Sequence, residues 1–269
     1  MNYLLENPME EITLSVVIPA YKEQNRLGPN LTLIIEHLET FLVKQGLSYE
    51  VIVVVDGSGD GTADFARSFS HKIKNLSVID NQTNRGKGAV IRQGLLAAQG
   101  KYHAFLDADG STSIRHIDAA MKLIESGADF VIGSRDIPGA VIEVHQPRHR
   151  EIMGTLGNFV IRATLGLWSF PDTQCGFKVL KAEVSKAVVP RMVVDRFAYD
   201  FEMIVLAKKL GFRIEQMPVH WINEEGSTVG GLFGPNGFLQ VLIDLLKTRL
   251  RLFLGMYHLH DHPQVETQT

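Results

Sequence analysis

Four short apolar runs punctuate the first half of the chain, and each stops at a turn rich in Gly, Pro or Asp. Thr13-Leu-Ser-Val-Val-Ile18, Tyr49 to Val55, Leu76-Ser-Val-Ile79 and the run from Lys101 that ends at Asp107 predict buried strands, because a parallel strand covered on both faces is apolar without alternation. Between them the period changes. Leu31, Ile34, Ile35, Leu38 and Leu42 recur at helical spacing, and helices are expected again over residues 63 to 70, from the Gly88 turn to Ala98, and over residues 114 to 125. A strand at Asp129-Phe-Val-Ile132 extends the alternation. Repeated β-α-β order predicts an α/β fold with a mainly parallel sheet in a three-layer α/β/α sandwich.

The second half is less regular. Residues 136 to 150, which carry Pro and His, predict a mobile loop, and residues 151 to 167 a helix. Phe170 to Lys178 predicts a turn into a short strand, Asp195 to Glu202 opens a helix ending at Gly211, and Arg213 to Val219 is the last expected strand. From Phe238 to Tyr257, one helical face gathers Leu239, Leu242, Ile243, Leu246, Leu250, Phe253, Leu254 and Tyr257, while Gln240, Asp244, Lys247, Thr248 and Arg251 fall opposite. Such a basic amphipathic helix suits a membrane interface or packing on the sheet. The expected organisation is a main domain over residues 1–237, this helix over 238–257, and a disordered tail over 258–269 in which His258, His260 and His262 are frayed polar residues rather than a metal clip.

Composition narrows the class. With 269 residues and 45% hydrophobic content, the chain can bury one large core. Its net charge of −3 gives no global drive toward nucleic acid. Cys175 is the single cysteine, so no intrachain disulfide forms and a reducing, cytoplasmic setting is expected. The first basic residue is Lys22, which leaves the N-terminus without the charged start of a signal peptide, and no run of about 18 apolar residues appears.

Candidate chemistry gathers at the ends of the expected strands, where open α/β sheets bind ligands. Asp107 and Asp109 lie one residue apart, so on an extended segment they share a face and can grip one cation. Two hard oxygen donors suit Mg²⁺ or Mn²⁺, which completes its shell with water and phosphates; a nucleotide diphosphate is the implied substrate, and a solvated turn is the plainer alternative. Glu23 and Asp56 follow the first two strands and suit ribose hydroxyls or a base N–H. Gly86 and Gly88 let backbone approach a diphosphate at a helix start, with Lys87 adding charge. Arg135 and Lys178 are expected to hold phosphate, on the acceptor or the leaving group, unless they are surface ion-pairing residues. Asp200 and Glu202 are a general base if the acceptor is a hydroxyl; for an anionic acceptor they orient sugar, Arg196 or a helix start. Cys175 is expected to be a small packed thiol.

Pro19-Ala-Tyr-Lys-Glu23, Asp56-Gly-Ser58, Asn84-Arg-Gly-Lys-Gly88, Asp107-Ala-Asp109, Gly133-Ser-Arg135 and Asp172-Thr-Gln-Cys-Gly-Phe-Lys178 together resemble an inverting GT-A glycosyltransferase of family 2, over roughly residues 13 to 257. Asp172 to Lys178, Trp221 with Glu225-Gly-Ser227, and Leu246 to Tyr257 resemble the dolichyl-phosphate β-glucosyltransferases in particular. The resemblance implies a GT-A fold and transfer of glucose from UDP-glucose to a polyprenyl phosphate, with Mg²⁺ or Mn²⁺ as cofactor. It implies a nucleotide-sugar site of Pro19, Tyr21, Glu23, Asp56, Ser58, Arg85, Gly86, Lys87, Asp107, Ala108 and Asp109, with Asp109 the first metal ligand and Asp107 beside it. Arg135, Gln174, Lys178, Arg196 and Ser227 would meet the acceptor. Polyprenyl-phosphate mannosyltransferases using GDP-mannose share most of these motifs. A soluble family 2 enzyme acting on a hydroxyl, or a non-enzymatic nucleotide-sugar binder, would carry many of them too. The eukaryotic members carry an N-terminal membrane anchor that residues 1 to 12 cannot supply, so a peripheral position on the cytoplasmic face of a membrane is expected.

Overall fold

A computed structural model of the chain describes residues 11–143, 148–222 and 235–259. The elements run β1 (Leu14–Ala20), α1 (Leu27–Phe41), β2 (Tyr49–Asp56), α2 (Thr62–Arg67), β3 (Leu76–Asn81), α3 (Lys87–Ala97), β4 (Tyr102–Phe105), α4 (Ile117–Glu125), β5 (Phe130–Ser134) and β6 (Val141–Ile142). They continue through α5 (Arg148–Leu165), β7 (Lys178–Lys181), α6 (Ala182–Val188), α7 (Tyr199–Lys209), β8 (Ile214–Pro218), β9 (His220–Trp221) and α8 (Pro235–Phe253). Seven strands form one sheet in the order β3-β2-β1-β4-β7-β5-β8, and β6 pairs with β9 in a small second sheet.

Alternation along the strands builds two cores. In β1, Leu14, Val16 and Ile18 point into the layer covered by α1, α2 and α4, while Val17 points to the opposite layer with α3, α5, α6, α7 and α8. This is the three-layer α/β/α arrangement expected from the sequence. Within the seven-stranded sheet, β7 departs from parallel pairing by inserting antiparallel between β4 and β5. The strand order reverses direction at β1, whose neighbours are β2 on one side and β4 on the other, so the crevice for a ligand opens between β1 and β4.

The apolar run predicts a first strand ending at Ile18, before Pro19, yet β1 runs to Ala20. Pro19 pairs only on the β2 side, opposite Val54, because β4 stops pairing at Phe105 opposite Val17. Its missing N–H therefore interrupts no ladder on the open side. The expected loop over residues 136 to 150 contains β6 and the first residues of α5, and residues 144–147 lie outside the described set. Helix α6 and the β6–β9 pair had no counterpart in the sequence pattern; both are too short to show a period.

Candidate active site

A cleft of about 280 Å³ lies at the carboxyl ends of β1, β2 and β4, lined by Tyr21, Glu23, Asp56, Lys87, Asp107 and Asp109 among others. Each wall has its own support. Asn30 on α1 donates its side-chain amide to the backbone carbonyls of Asp107 (3.2 Å) and Ala108 (3.1 Å), which fixes the turn after β4, and Asp109 accepts from the Ser111 N–H at 3.0 Å. Behind Asp107 lies Gly176. A Cβ there would stand 2.2 Å from Asp107 Oδ2, so only glycine lets the carboxylate pack against that backbone.

Asp56 is buried and its two oxygens are taken up by a loop. Oδ1 accepts from the Arg85 N–H (2.6 Å), and Oδ2 from the Gly86 N–H (3.0 Å) and the Asn84 side chain (3.0 Å). The acid thus shapes the Asn84-Arg-Gly turn into the start of α3, where the Ala89 N–H is taken by the Asp195 carbonyl at 3.0 Å and the Lys87 and Gly88 N–H groups open the helix toward an anion. Lys87, the first residue of α3, reaches Asp107 Oδ1 at 2.5 Å. Burial alone would lower its pKa, but Asp107, Asp200 and Asp109 around it outweigh that and raise it. Glu23 pairs with Arg26 at 2.7 Å through Oε1, while its Oε2 is buried with no partner among the described residues. Desolvation raises the Glu23 pKa against the opposing pull of Arg26. Arg26 and Phe197 line the cleft as well and were missed in the sequence; the i, i+3 spacing from Glu23 was the available signal for Arg26. Ser58 does not line the cleft, and instead accepts the N–H of Lys22, which holds a left-handed backbone with φ 57°.

The expected acceptor residues are arranged differently from their sequence reading. Lys178 opens β7 in the middle of the sheet, so it is buried; its ammonium is committed to Asp200 and, at 2.6 Å, to the Cys175 carbonyl. It does not line the cleft and cannot hold a phosphate in this arrangement. Asp200 is likewise behind the cleft wall, its pKa raised by burial against the lowering effect of Lys178 and Lys87. Glu202 lies away from the site altogether. Two residues apart on α7, it and Asp200 face different directions, and Glu202 accepts from the Val193 (3.0 Å) and Val194 (3.0 Å) N–H groups and from Tyr257 Oη (2.7 Å). Burial raises its pKa as well.

Arg135 forks onto Asp172, Nε to Oδ2 at 2.7 Å and Nη2 to Oδ1 at 2.9 Å, with the Trp221 ring 5.5 Å from its guanidinium. Burial alone would raise Asp172; the guanidinium outweighs it and holds the carboxyl below its usual range. Gln174 donates its N–H to the same carboxylate at 3.1 Å. Trp221 is drawn toward the loop after Asp109 by a bridge to Thr112 and by the Ile222 N–H on the Ser111 carbonyl at 2.9 Å. Arg196 is exposed and lines the cleft, and Ser227 lies outside the described residues. Burial pushes the Cys175 thiol up to about 11, as suits a packed thiol.

Comparison with known proteins places this geometry. Residues 15–189 match the Glycosyl transferase family 2 profile. Over 94% of its length the chain is 32% identical to a dolichyl-phosphate β-glucosyltransferase of Dictyostelium discoideum, covering 78% of that protein, and 32% identical over 92% of its length to one of Saccharomyces cerevisiae, covering 77%. Among solved structures, the glucosyl-3-phosphoglycerate synthase of Mycobacterium tuberculosis, in complex with Mn²⁺, UDP and glucosyl-3-phosphoglycerate, superposes with a TM-score of 0.62 at 18% identity, covering 88% of this chain and 80% of that one.

Proposed function

This chain belongs to glycosyl transferase family 2 and has its GT-A fold, and from that premise we infer that it transfers glucose from UDP-glucose to a polyprenyl phosphate of the dolichyl type, with inversion at the anomeric carbon. The observation that carries the donor side is the start of α3 at the cleft, where Lys87 meets Asp107 beside Asp109. Glu23, with one oxygen buried and unpartnered among the described residues, is assigned to a ribose hydroxyl or base N–H. Tyr21 and the backbone around Pro19 and Ala108 line the same cleft and are assigned to the nucleoside and sugar.

Asp109 and Asp107 fit a divalent cation, since two carboxylates with substrate phosphates are a usual shell for Mg²⁺ or Mn²⁺. Such an ion, when bound, offsets the charge that develops on the leaving diphosphate. Lys87, beside Asp107, and the N–H groups at the start of α3 would hold that diphosphate, and Arg196, exposed at the cleft, is a cation available to an incoming anion. In the reaction an acceptor phosphate oxygen bonds to C1 of glucose as the C1–O bond to UDP breaks, so no proton has to be removed.

The arrangement of acids favours that acceptor over a hydroxyl. A hydroxyl needs a general base, and the two acids the sequence offered are engaged elsewhere, Asp200 by Lys178 and Glu202 by three donors. Asp200, Lys178 and Arg135 are therefore assigned to positioning Asp107 and the loop of Asp172 and Gln174. With a lipid acceptor the protein works peripherally at a membrane surface. Among the described residues no helix is long and apolar enough to cross one.

The test is transfer of labelled sugar from UDP-glucose, and in parallel from GDP-mannose, to a short polyprenyl phosphate with Mg²⁺ or Mn²⁺ and with EDTA. Metal-dependent, lipid-extractable label from UDP-glucose is expected. Label from GDP-mannose alone would reassign the donor, and metal-dependent UDP-glucose hydrolysis without lipid label would discard the acceptor.

A further inference from the structure

Helix α8 is turned the wrong way for a helix that packs in water. On its polar side Thr248 is fully buried and Asp244 nearly so, while Leu239, Ile243, Leu246, Leu250 and Leu254 are exposed, Phe253 is 80% exposed, and Lys247 and Arg249 are exposed as well. The helix is nonetheless docked. Leu245 and Tyr257 enter the core on this side of the sheet, and Tyr257 bonds Glu202, so α8 is built into the domain rather than appended to it. Its neighbour α5 repeats the arrangement: Ile161 and Leu165 are buried, and Met153, Leu156, Phe159 and Val160 are exposed. At the end of α5, Trp168 packs edge-on against Phe159 with ring centroids 5.8 Å apart, and Arg162 lies 5.7 Å over the Trp168 ring while donating to its carbonyl at 2.9 Å. An exposed aromatic pair with an arginine beside it is the side-chain set that favours a boundary between apolar and aqueous phases.

We propose that α5, Trp168 and α8 form one plate that docks on the surface of an anionic lipid membrane. Charge points to that occupant. Among the described side chains, the two helices carry Arg162, Lys247, Arg249 and Arg251 against only Asp244, in a chain whose net charge is −3. Apolar side chains flanked by cations bind an anionic interface through both terms, whereas a second copy of the chain would bring like charges together. The plate is also tied to the reaction. Asn158 on α5 donates to the Pro171 carbonyl and accepts from Thr173 Oγ1 at 3.2 Å, which anchors the loop carrying Asp172 and Gln174. Docking through α5 thus sets the acceptor-side loop next to the bilayer from which a lipid phosphate must come. This extends the lipid-acceptor reading and rests on it for its purpose, not for its physics.

The experiment is flotation with vesicles that contain neither polyprenyl phosphate nor donor, made of phosphatidylcholine alone or with phosphatidylglycerol. The full chain is expected to float with the phosphatidylglycerol vesicles and much less with phosphatidylcholine. Leu250→Glu/Phe253→Glu and, separately, Phe159→Glu/Trp168→Ala should each cut the bound fraction about tenfold while UDP affinity stays unchanged, which shows that they fold. The proposal is overturned if the wild-type chain stays in solution, if both variants float as it does, or if it is a dimer in solution that these substitutions dissociate. Flotation without sugar transfer would instead overturn the lipid-acceptor reading and leave the plate standing.

Discussion

On the β1–β2–α3 side of the cleft, the buried acid Asp56 is neutralised by backbone N–H groups and an asparagine, whereas on the β5–β7 side Asp172 and Asp200 each meet a cation, Arg135 and Lys178. The consequence differs for chemistry. An acid held by backbone shapes a turn and leaves the nearby cation, Lys87, to meet Asp107 at the cleft wall instead of being buried. An acid held by a cation consumes that cation, so the β5–β7 side offers rigid walls rather than free charge. The two sides of the cleft thus differ in how each satisfies its carboxylates.

Four measurements would break or sharpen that contrast. The largest effect is expected on stability at Lys178. Lys178→Met leaves Asp200 buried without its partner and should cost about 3–5 kcal/mol in urea unfolding, and Lys178→Met/Asp200→Leu should recover most of it. If the single change is neutral, the pair is not the support assigned to it. Next, Asp109→Asn should lower kcat for glucose transfer by roughly 10²–10³-fold with the fold intact, because charge stabilisation at the leaving diphosphate is lost; a near-normal kcat would remove the metal role from this side. Gly176→Ala forces Asp107 to move, and a displacement near 1 Å costs about 10²-fold in rate. Steady-state kinetics should show it in kcat with little change in the unfolding midpoint, since Gly176 belongs to the β5–β7 side and acts through its neighbour.

The smallest effect lies at the far end of β4 and serves as a control for both sides. His103 is buried between the Ser185 hydroxyl (2.8 Å) and the Gly100 carbonyl (3.0 Å), and desolvation lowers its pKa to about 4. A folded-state pKa below the unfolded value means that its contribution is complete above pH 6.5 and is lost as pH falls toward 4. Between pH 7 and 5 the folded state should lose about 2 kcal/mol from this group, and His103→Gln should flatten that slope without altering donor affinity.

Legibility followed the same divide. The convergence of Asp107-Ala-Asp109 and Asn84-Arg-Gly-Lys-Gly88 on one cleft could be read because each sits within one strand-to-helix turn, where residue type and spacing are local. Lys178 misled because its fate depended on β7 entering the sheet antiparallel, a pairing between strands far apart in sequence. Glu202 misled because α7 carries nine buried residues in a row and so shows no polar face from which to choose a direction.

The sequence by itself determined the alternating strands and helices, the acids at their ends and the amphipathic character of Phe238 to Tyr257, because hydrophobic period and turn chemistry act over a few residues. Only the tertiary structure decided which charges remain free and which way that helix faces. Pairing Arg135 with Asp172, and burying Thr248 while exposing Phe253, depend on neighbours that no local spacing encodes.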